Sequence, residues 1–273
     1  EKFQKHCMMM ENVNYGREEL MFLNICRKGL LGELYHGEAA YIHDLRWQMY
    51  EEEIGTGSWR TLQYEKKKGN LYPTHGLGPV SQYMNLLRTD DTFKTLISFS
   101  SPALGREKFA RENFNENHKW NKLNYQNGDI NTTVIKTYLG RTIMVQWDET
   151  SPRPYTRLNL IQGTKGILAG GPTRAAFNNG FEGYTKDAEE WITGEGIDAL
   201  YEKYDHPMYK RLNKITQDSG HGGMDGMMVY RIIECLRKGE PLDQNVYEGC
   251  AWSSLIELTS NSVNNNGQPQ DFP

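Results

Sequence analysis

Two consecutive hairpins constrain this chain more than any other feature. Residues 130–138, the dipeptide Leu139-Gly140 and residues 141–148 read as two strands joined by a tight turn. Residues 158–162, a turn over 163–166 and residues 167–169 read as a second pair. Strands paired in sequence order make an antiparallel meander. Upstream, hydrophobic spacing predicts a helix over 17–28 closed by Gly29, a strand over 32–43, and a helix over 76–87 with Pro79 in its first turn. A further helix spans 227–238, capped by Asp225 and Gly239. The apolar run 5–12 reads as a short buried strand. Residues 47–68, with acidic 51–53 and basic 66–68, read as solvated loop. Residues 109–127 read as a surface excursion, and the tail beyond Leu258 as polar with no closing element.

Composition removes several functional classes. The 273 residues carry 31 Lys+Arg against 35 Asp+Glu, a net charge of -4, so a basic face for nucleic acid is not expected. No apolar run approaches the ~18 residues of a membrane helix. Cys7, Cys26, Cys235 and Cys250 show no C-x-x-C spacing, which argues against a disulfide framework or a metal site. Apolar neighbours predict buried thiols at Cys7, Cys26 and Cys235. The chain opens on Glu1 without a leader and reads as a piece of a longer protein, any targeting signal lying upstream.

Candidate chemistry falls in four clusters: 41–46, where Tyr41 and His43 share a strand face and Asp44 and Arg46 follow; Trp59-Arg60-Thr61; 70–79, with Thr74 and His75 at a helix start; and Arg153-Pro154-Tyr155. Free N–H groups at a helix start favour polar or anionic oxygen ligands. Isolated His6, His36, His118 and His206 read as structural, Asp205-His206-Pro207 as a turn, and 220–225 as a flexible lead-in in which His221 could face a ligand. Bare spacing names no reaction.

Longer strings are more specific. Glu11-Asn12-Val13-Asn14-Tyr15-Gly16-Arg17, Ala40-Tyr41-Ile42-His43-Asp44-Leu45-Arg46, Leu71-Tyr72-Pro73-Thr74-His75-Gly76, Pro152-Arg153-Pro154-Tyr155 and Gly220-His221-Gly222-Gly223-Met224-Asp225 resemble glycoside hydrolase family 109. So do the stretch 160–166, Tyr204-Asp205-His206-Pro207 and the closing Gln270-Asp271-Phe272-Pro273, so that the likeness covers nearly the whole chain. That family comprises NAD-dependent α-N-acetylgalactosaminidases within the Gfo/Idh/MocA oxidoreductase superfamily. The resemblance implies an α+β fold: an open-faced, mostly antiparallel sheet with helices on one face, preceded by the last strand of a Rossmann domain. Residues 1–13 are then the remnant of the NAD-binding domain and 14–273 the substrate-binding domain. No G-x-G-x-x-G follows a strand here, so the chain alone is expected to be inactive.

Position by position, the resemblance makes Tyr41 and His75 the acid/base candidates, with Arg60 as the cation that makes the Tyr41 phenol useful. Tyr72, Pro73, Thr74 and His75 would line the sugar, Tyr155 would close over it, and Asn12 and Tyr72 would meet NAD, with Glu11 beside them. Gly76 would leave room for a ligand. Sugar dehydrogenases of the superfamily carry an Asp four residues before the active-site His; Leu71 stands there instead. The implied reaction oxidises the sugar 3-hydroxyl, removes the C2 proton, expels the aglycone, adds water and returns the hydride. Ordinary glycosidases use two carboxylates instead. A sugar dehydrogenase of the superfamily and a non-catalytic sugar-binding or oligomerisation module are the rival readings. The expected partners are N-acetylgalactosamine-containing glycans and a second copy of the chain, joined through the open sheet with Tyr138 and Trp147 as candidate contacts.

Overall fold

Both hairpins form. The computed structural model describes residue 2 and residues 5–53, 57 and 59–273. The first hairpin pairs β3 (Ile130–Thr137) with β4 (Thr142–Asp148), and the second pairs β5 (Leu160–Gly163) with β6 (Gly166–Ala169). They are joined in one eight-stranded sheet by β1 (Leu34–Ile42), β2 (Phe93–Ser100), β7 (Arg174–Phe177) and β8 (Gln270–Asp271). The strand order is β7-β6-β5-β1-β4-β3-β2-β8, and every neighbouring pair is antiparallel except β1 and β4.

Helices cover one face. α3 (Thr74–Tyr83) packs on β1 and α8 (Val246–Asn264) on β2. α1 (Arg17–Arg27) packs on α3, and α5 (Glu195–Tyr204) on α1. α6 (Pro207–Thr216) packs on α7 (Met224–Lys238). Along β3 and β4 the two-residue period buries Ile135, Ile143 and Val145 against Trp252 and Leu255 of α8 and the rest of the core. On the opposite face, Ile97 and Phe99 of β2 and Val134 of β3 are 39%, 57% and 41% exposed, so this side of the sheet is open.

Two glycines let α3 lie directly on β1. A Cβ on Gly37 would sit 2.5 Å from Val80 Cγ1, and one on Gly76 would strike the Ala40 backbone, its carbonyl oxygen at 2.7 Å. Gly76 therefore makes room for a strand rather than for a ligand. Gly76→Ala is expected to lower stability by about 1–3 kcal/mol, as overpacking does. Urea denaturation checks this, and an unchanged midpoint would show that α3 shifts freely.

Several expectations give way to tertiary packing. Residues 5–11 form no strand: no described strand pairs with them, Met9 packs onto the main core and Met8 onto the cluster of α1, α6 and α7, and a 3-10 turn capped by Glu11 follows at Asn12–Tyr15. Within 47–68, where 54–56 and 58 lie outside the described residues, a helix α2 (Trp59–Lys66) buries Thr61 and Tyr64, three apart on one face. The excursion at 109–127 carries the end of α4 (Gly105–Asn113) and a fully packed Trp120. α3 starts two residues earlier than expected and stops before Asn85 and Leu87, both at positive φ, so Pro79 lies inside it. The tail does close the fold, because α8 runs to Asn264 and β8 pairs with β2. Trp147 is fully buried against Tyr64 and is no surface contact, whereas Tyr138 is 61% exposed. Of the thiols, Cys235 is buried, Cys26 half-buried and Cys7 exposed.

Three of the isolated histidines are structural. His36 Nδ1 lies 2.8 Å from Thr142 Oγ1, while His118 and His206 accept from the Trp120 and Met208 N–H groups at helix starts. The turn expected at 205–207 is thus the N-terminus of α6, with Pro207 at its first position. No described helix is long and apolar enough to cross a membrane.

Candidate active site

The site grows from the end of β1. Tyr41 and His43 lie two residues apart, hence on one face, and the Tyr41 hydroxyl is 3.3 Å from His43 Nδ1. Beyond the ladder, the His43 N–H donates to the Asp148 carbonyl (2.9 Å) and the Leu45 N–H to that of Glu149 (3.1 Å). On the other side, the Ala40 N–H donates to the Arg157 carbonyl (2.7 Å), and Ile42 and Thr156 exchange two bonds of 3.1 Å. This stitching lays the Tyr155 ring 5.0 Å from His43 and 6.3 Å from Tyr41. Arg157 Nη1 donates to the Tyr155 hydroxyl (2.8 Å) and its Nε to Glu19 Oε1 (3.0 Å), anchoring Tyr155 to a buried carboxylate of α1.

The close α3–β1 approach supplies the next wall. Tyr72 and His75 stand 4.8 and 5.3 Å from the Tyr41 ring and 4.8 Å from each other. Between them, Pro73 caps α3 and the half-turn is tied by Tyr72 N–H to Asn70 Oδ1 (2.9 Å). Thr74 is buried, and Leu71 packs with Tyr41, Leu45, Tyr64 and Trp147. His75 Nδ1 faces Glu11 Oε1 at 2.7 Å, and Glu11 itself is buried.

Arg60, in the first turn of α2, lies 5.6 Å from the Tyr72 ring. Its Nε donates to Glu149 Oε1 (3.0 Å) and its Nη1 to Gln48 Oε1 (3.2 Å). Glu149 is fully buried, with Arg106 Nη2 3.9 Å away on its other side. Burial lifts the Glu149 pKa above the ordinary carboxylate value, while Arg60 and Arg106 pull it back. The Arg60 charge is thus answered from inside. Burial first, and Glu149 second, hold the Tyr41 pKa well above that of a free phenol, and Arg60 does not offset them. Arg60 pulls the Tyr41 pKa down, the direction expected of it, but by less than burial and Glu149 raise it, which favours the protonated phenol. Burial raises Tyr72 in the same direction.

Asn12 is buried beside Glu11 but faces elsewhere. Its Nδ2 donates to Asp225 Oδ1 (2.6 Å), whose other oxygen lies 2.7 Å from His221 Nδ1. Burial pushes the Asp225 pKa up, yet the hydrogen bonds from Asn12 and His221 carry it below the ordinary value. The structure therefore brings Tyr41, Arg60, Tyr72, His75 and Tyr155 into one cluster and ties Asn12 to it through Glu11. His43, Glu149, Arg157 and Glu19 are additions. The strand period pointed to His43; the buried charges carry no local signal.

Residues 15–273 match the model of the glycosyl hydrolase 109 C-terminal domain. A glycosyl hydrolase family 109 protein of Akkermansia muciniphila is 62% identical over the whole chain, which spans 56% of that protein. One from a Shewanella species is 57% identical, again over the whole chain and 59% of its own length. The chain thus spans rather more than half of these relatives. Among solved structures, levoglucosan dehydrogenase with NADH and levoglucosan superposes with a TM-score of 0.66 at 14% identity, over 98% of this chain and 66% of that one. An NAD-binding oxidoreductase from Klebsiella pneumoniae gives 0.64 at 12% identity, over 96% and 64%. These likenesses show that the chain shares its open-sheet fold with part of each of these oxidoreductases. By sequence, the chain belongs to glycosyl hydrolase family 109.

Proposed function

We propose that the protein carrying this chain hydrolyses terminal α-N-acetylgalactosamine from glycans by a redox-neutral, NAD-dependent route, with residues 14–273 as its substrate-binding domain. Residues 1–13 belong, on this reading, with a preceding dinucleotide-binding domain. The observation that carries the proposal is the state of the carboxylates. Among the described carboxylates around Tyr41, Glu11 faces His75, Glu149 bonds Arg60, Asp44 bonds Arg46, and the buried Asp148 accepts from the Thr150 and Ser151 N–H groups of its own turn. None is left as one of the two carboxyl groups that flank the bond in an ordinary glycosidase. What remains for proton transfer is phenol and imidazole.

The residues present fit one end of NAD. Tyr72 and His75 set their rings at 79° to each other, a ring-lined wall for a flat nicotinamide, with Glu11 beside His75 and the Asn12 amide turned to Asp225. When bound, the dinucleotide supplies reversible hydride exchange at sugar carbon 3, which acidifies the C2 proton. This chain orients the sugar with Arg60, Tyr72, Pro73 and Thr74. It covers the sugar with Tyr155 and moves protons at Tyr41 Oη and His75. Joining of two copies through the open sheet around Phe99 and Val134 is part of the same proposal.

With the full-length protein, aryl α-N-acetylgalactosaminide cleavage is expected to require NAD and to leave no net NADH. NADH accumulating in step with product would instead establish a dehydrogenase. The 273-residue chain alone is expected to show neither cleavage nor micromolar NAD affinity by calorimetry, since no phosphate-cradling loop is present.

A further inference from the structure

We infer that His43 is the positioning partner of Tyr41, accepting its phenolic proton in a two-step relay from sugar hydroxyl to Tyr41 oxygen and from Tyr41 to His43 Nδ1. The inference rests on the reading above, in which Tyr41 exchanges a proton with the substrate. It deepens that reading by saying how a buried phenol can act as a base.

Tyr41 is 8% exposed, and its hydroxyl has a hydrogen-bond partner in His43 Nδ1 at 3.3 Å. A contact of this length is ordinary before substrate tightens a catalytic array. Other rings touch Tyr41, but they are differently engaged. His75 turns its Nδ1 to Glu11, Tyr72 is a second protonated phenol, and the Tyr155 hydroxyl accepts from Arg157. His43 is half-buried, with the Tyr155 ring 5.0 Å away and its Nδ1 on the Tyr41 hydroxyl.

Forming a free phenolate at Tyr41 would be costly, because burial and Glu149 both oppose the charge. A relay avoids it. As the phenol oxygen gains the proton of the sugar hydroxyl, the original phenolic proton leaves along the O–H···Nδ1 bond. Tyr41 ends neutral, His43 becomes imidazolium, and the proton count is conserved. The imidazolium then discharges to solvent from Nε2. The relay requires His43 to begin neutral. The groups facing it are Tyr41 and Asp44 on its own segment, Arg60 from α2 and the Tyr155 ring. Burial and Arg60 lower its pKa against the opposing pull of Asp44, so it is neutral near pH 7.

The test uses the full-length protein with NAD and an aryl α-N-acetylgalactosaminide. His43→Ala should lower kcat on the order of a hundredfold, with KM changed less than threefold and partial rescue by added imidazole. The wild-type pH profile should fall on its acid side with a midpoint below the ordinary histidine value of about 6.5, and that limb should vanish in His43→Ala. Independently of turnover, nitrogen NMR should find His43 carrying its proton on Nε2 at neutral pH, with its titration displaced by Tyr41→Phe. Retained kcat, a loss confined to KM, an unchanged acid limb or a proton on Nδ1 would each overturn the relay. Product formed in heavy water distinguishes this failure from failure of the wider reading. Absence of deuterium at C2 sinks the elimination route, whereas His43 is judged by kcat, the acid limb and the NMR tautomer.

Discussion

Glu149→Ala is expected to be the most damaging single truncation in the site, costing about 3–5 kcal/mol of stability. The side chain is fully buried between Arg60 and Arg106, and Arg106 is 1% exposed. Removing the carboxylate leaves that guanidinium in a low-dielectric interior without its counter-charge, which costs more than the pair itself contributes. For a domain of this size the loss corresponds to a fall of roughly 10 °C in melting temperature. Glu149→Gln keeps an oxygen for the Arg60 Nε and should lose less. Arg60, no longer anchored, should also bind substrate more weakly, so KM should rise in the folded fraction. Thermal and urea unfolding of both variants check the ranking. A loss below about 1 kcal/mol for Glu149→Ala would mean that both arginines find other partners.

The second large effect is on turnover. His75→Ala in the full-length protein should slow the reaction by roughly a hundredfold or more, the usual size of a general acid/base contribution. Its stability cost is separable. His75 Nδ1 lies 2.7 Å from the buried Glu11 carboxylate, and removing one member of such a close pair leaves the other buried and unanswered, which costs about 1–3 kcal/mol. In a Glu11→Gln background that part of the penalty should largely disappear, because the two side chains are neighbours and their effects are not additive. The comparison requires turnover per folded molecule, with unfolding measured on the same preparation. If the folded fraction of His75→Ala keeps near-normal turnover, the histidine serves only to hold Glu11, and its acid/base role is lost.

The parts of this molecule readable from sequence are those whose period was undisturbed. The β3–β4 and β5–β6 hairpins, α1 and α7 follow from alternation, helical spacing and their capping glycines. β2 escaped notice because Ile97 and Phe99 stay apolar on the open face while Ser98 is buried, so its pattern runs counter to polarity. α8 had a legible start, the capping box of Asn245 and Glu248, but its serine- and asparagine-rich end resembles a tail. In the site, Tyr41, Tyr72 and His75 came from motifs and His43 from the strand period. Glu149, Glu19 and Arg157 could not be found this way. A lone charged residue looks like surface until the tertiary fold supplies the opposite charge that lets it be buried.

The strand order also bears on how the molecule is made. The β1–β4 pairing joins residues such as His36 and Thr142, 106 positions apart, and the β2–β8 edge joins Thr95 to Gln270, 175 positions apart. Loop closure over such spans precedes the gain from pairing, so the sheet's centre and edge are slow, late events rather than local ones. A nascent chain emerging from the ribosome must therefore hold β1 unpaired, and the inner face of β2 uncovered by α8, until much later segments arrive. During that interval it is exposed to aggregation and is a natural client for chaperones.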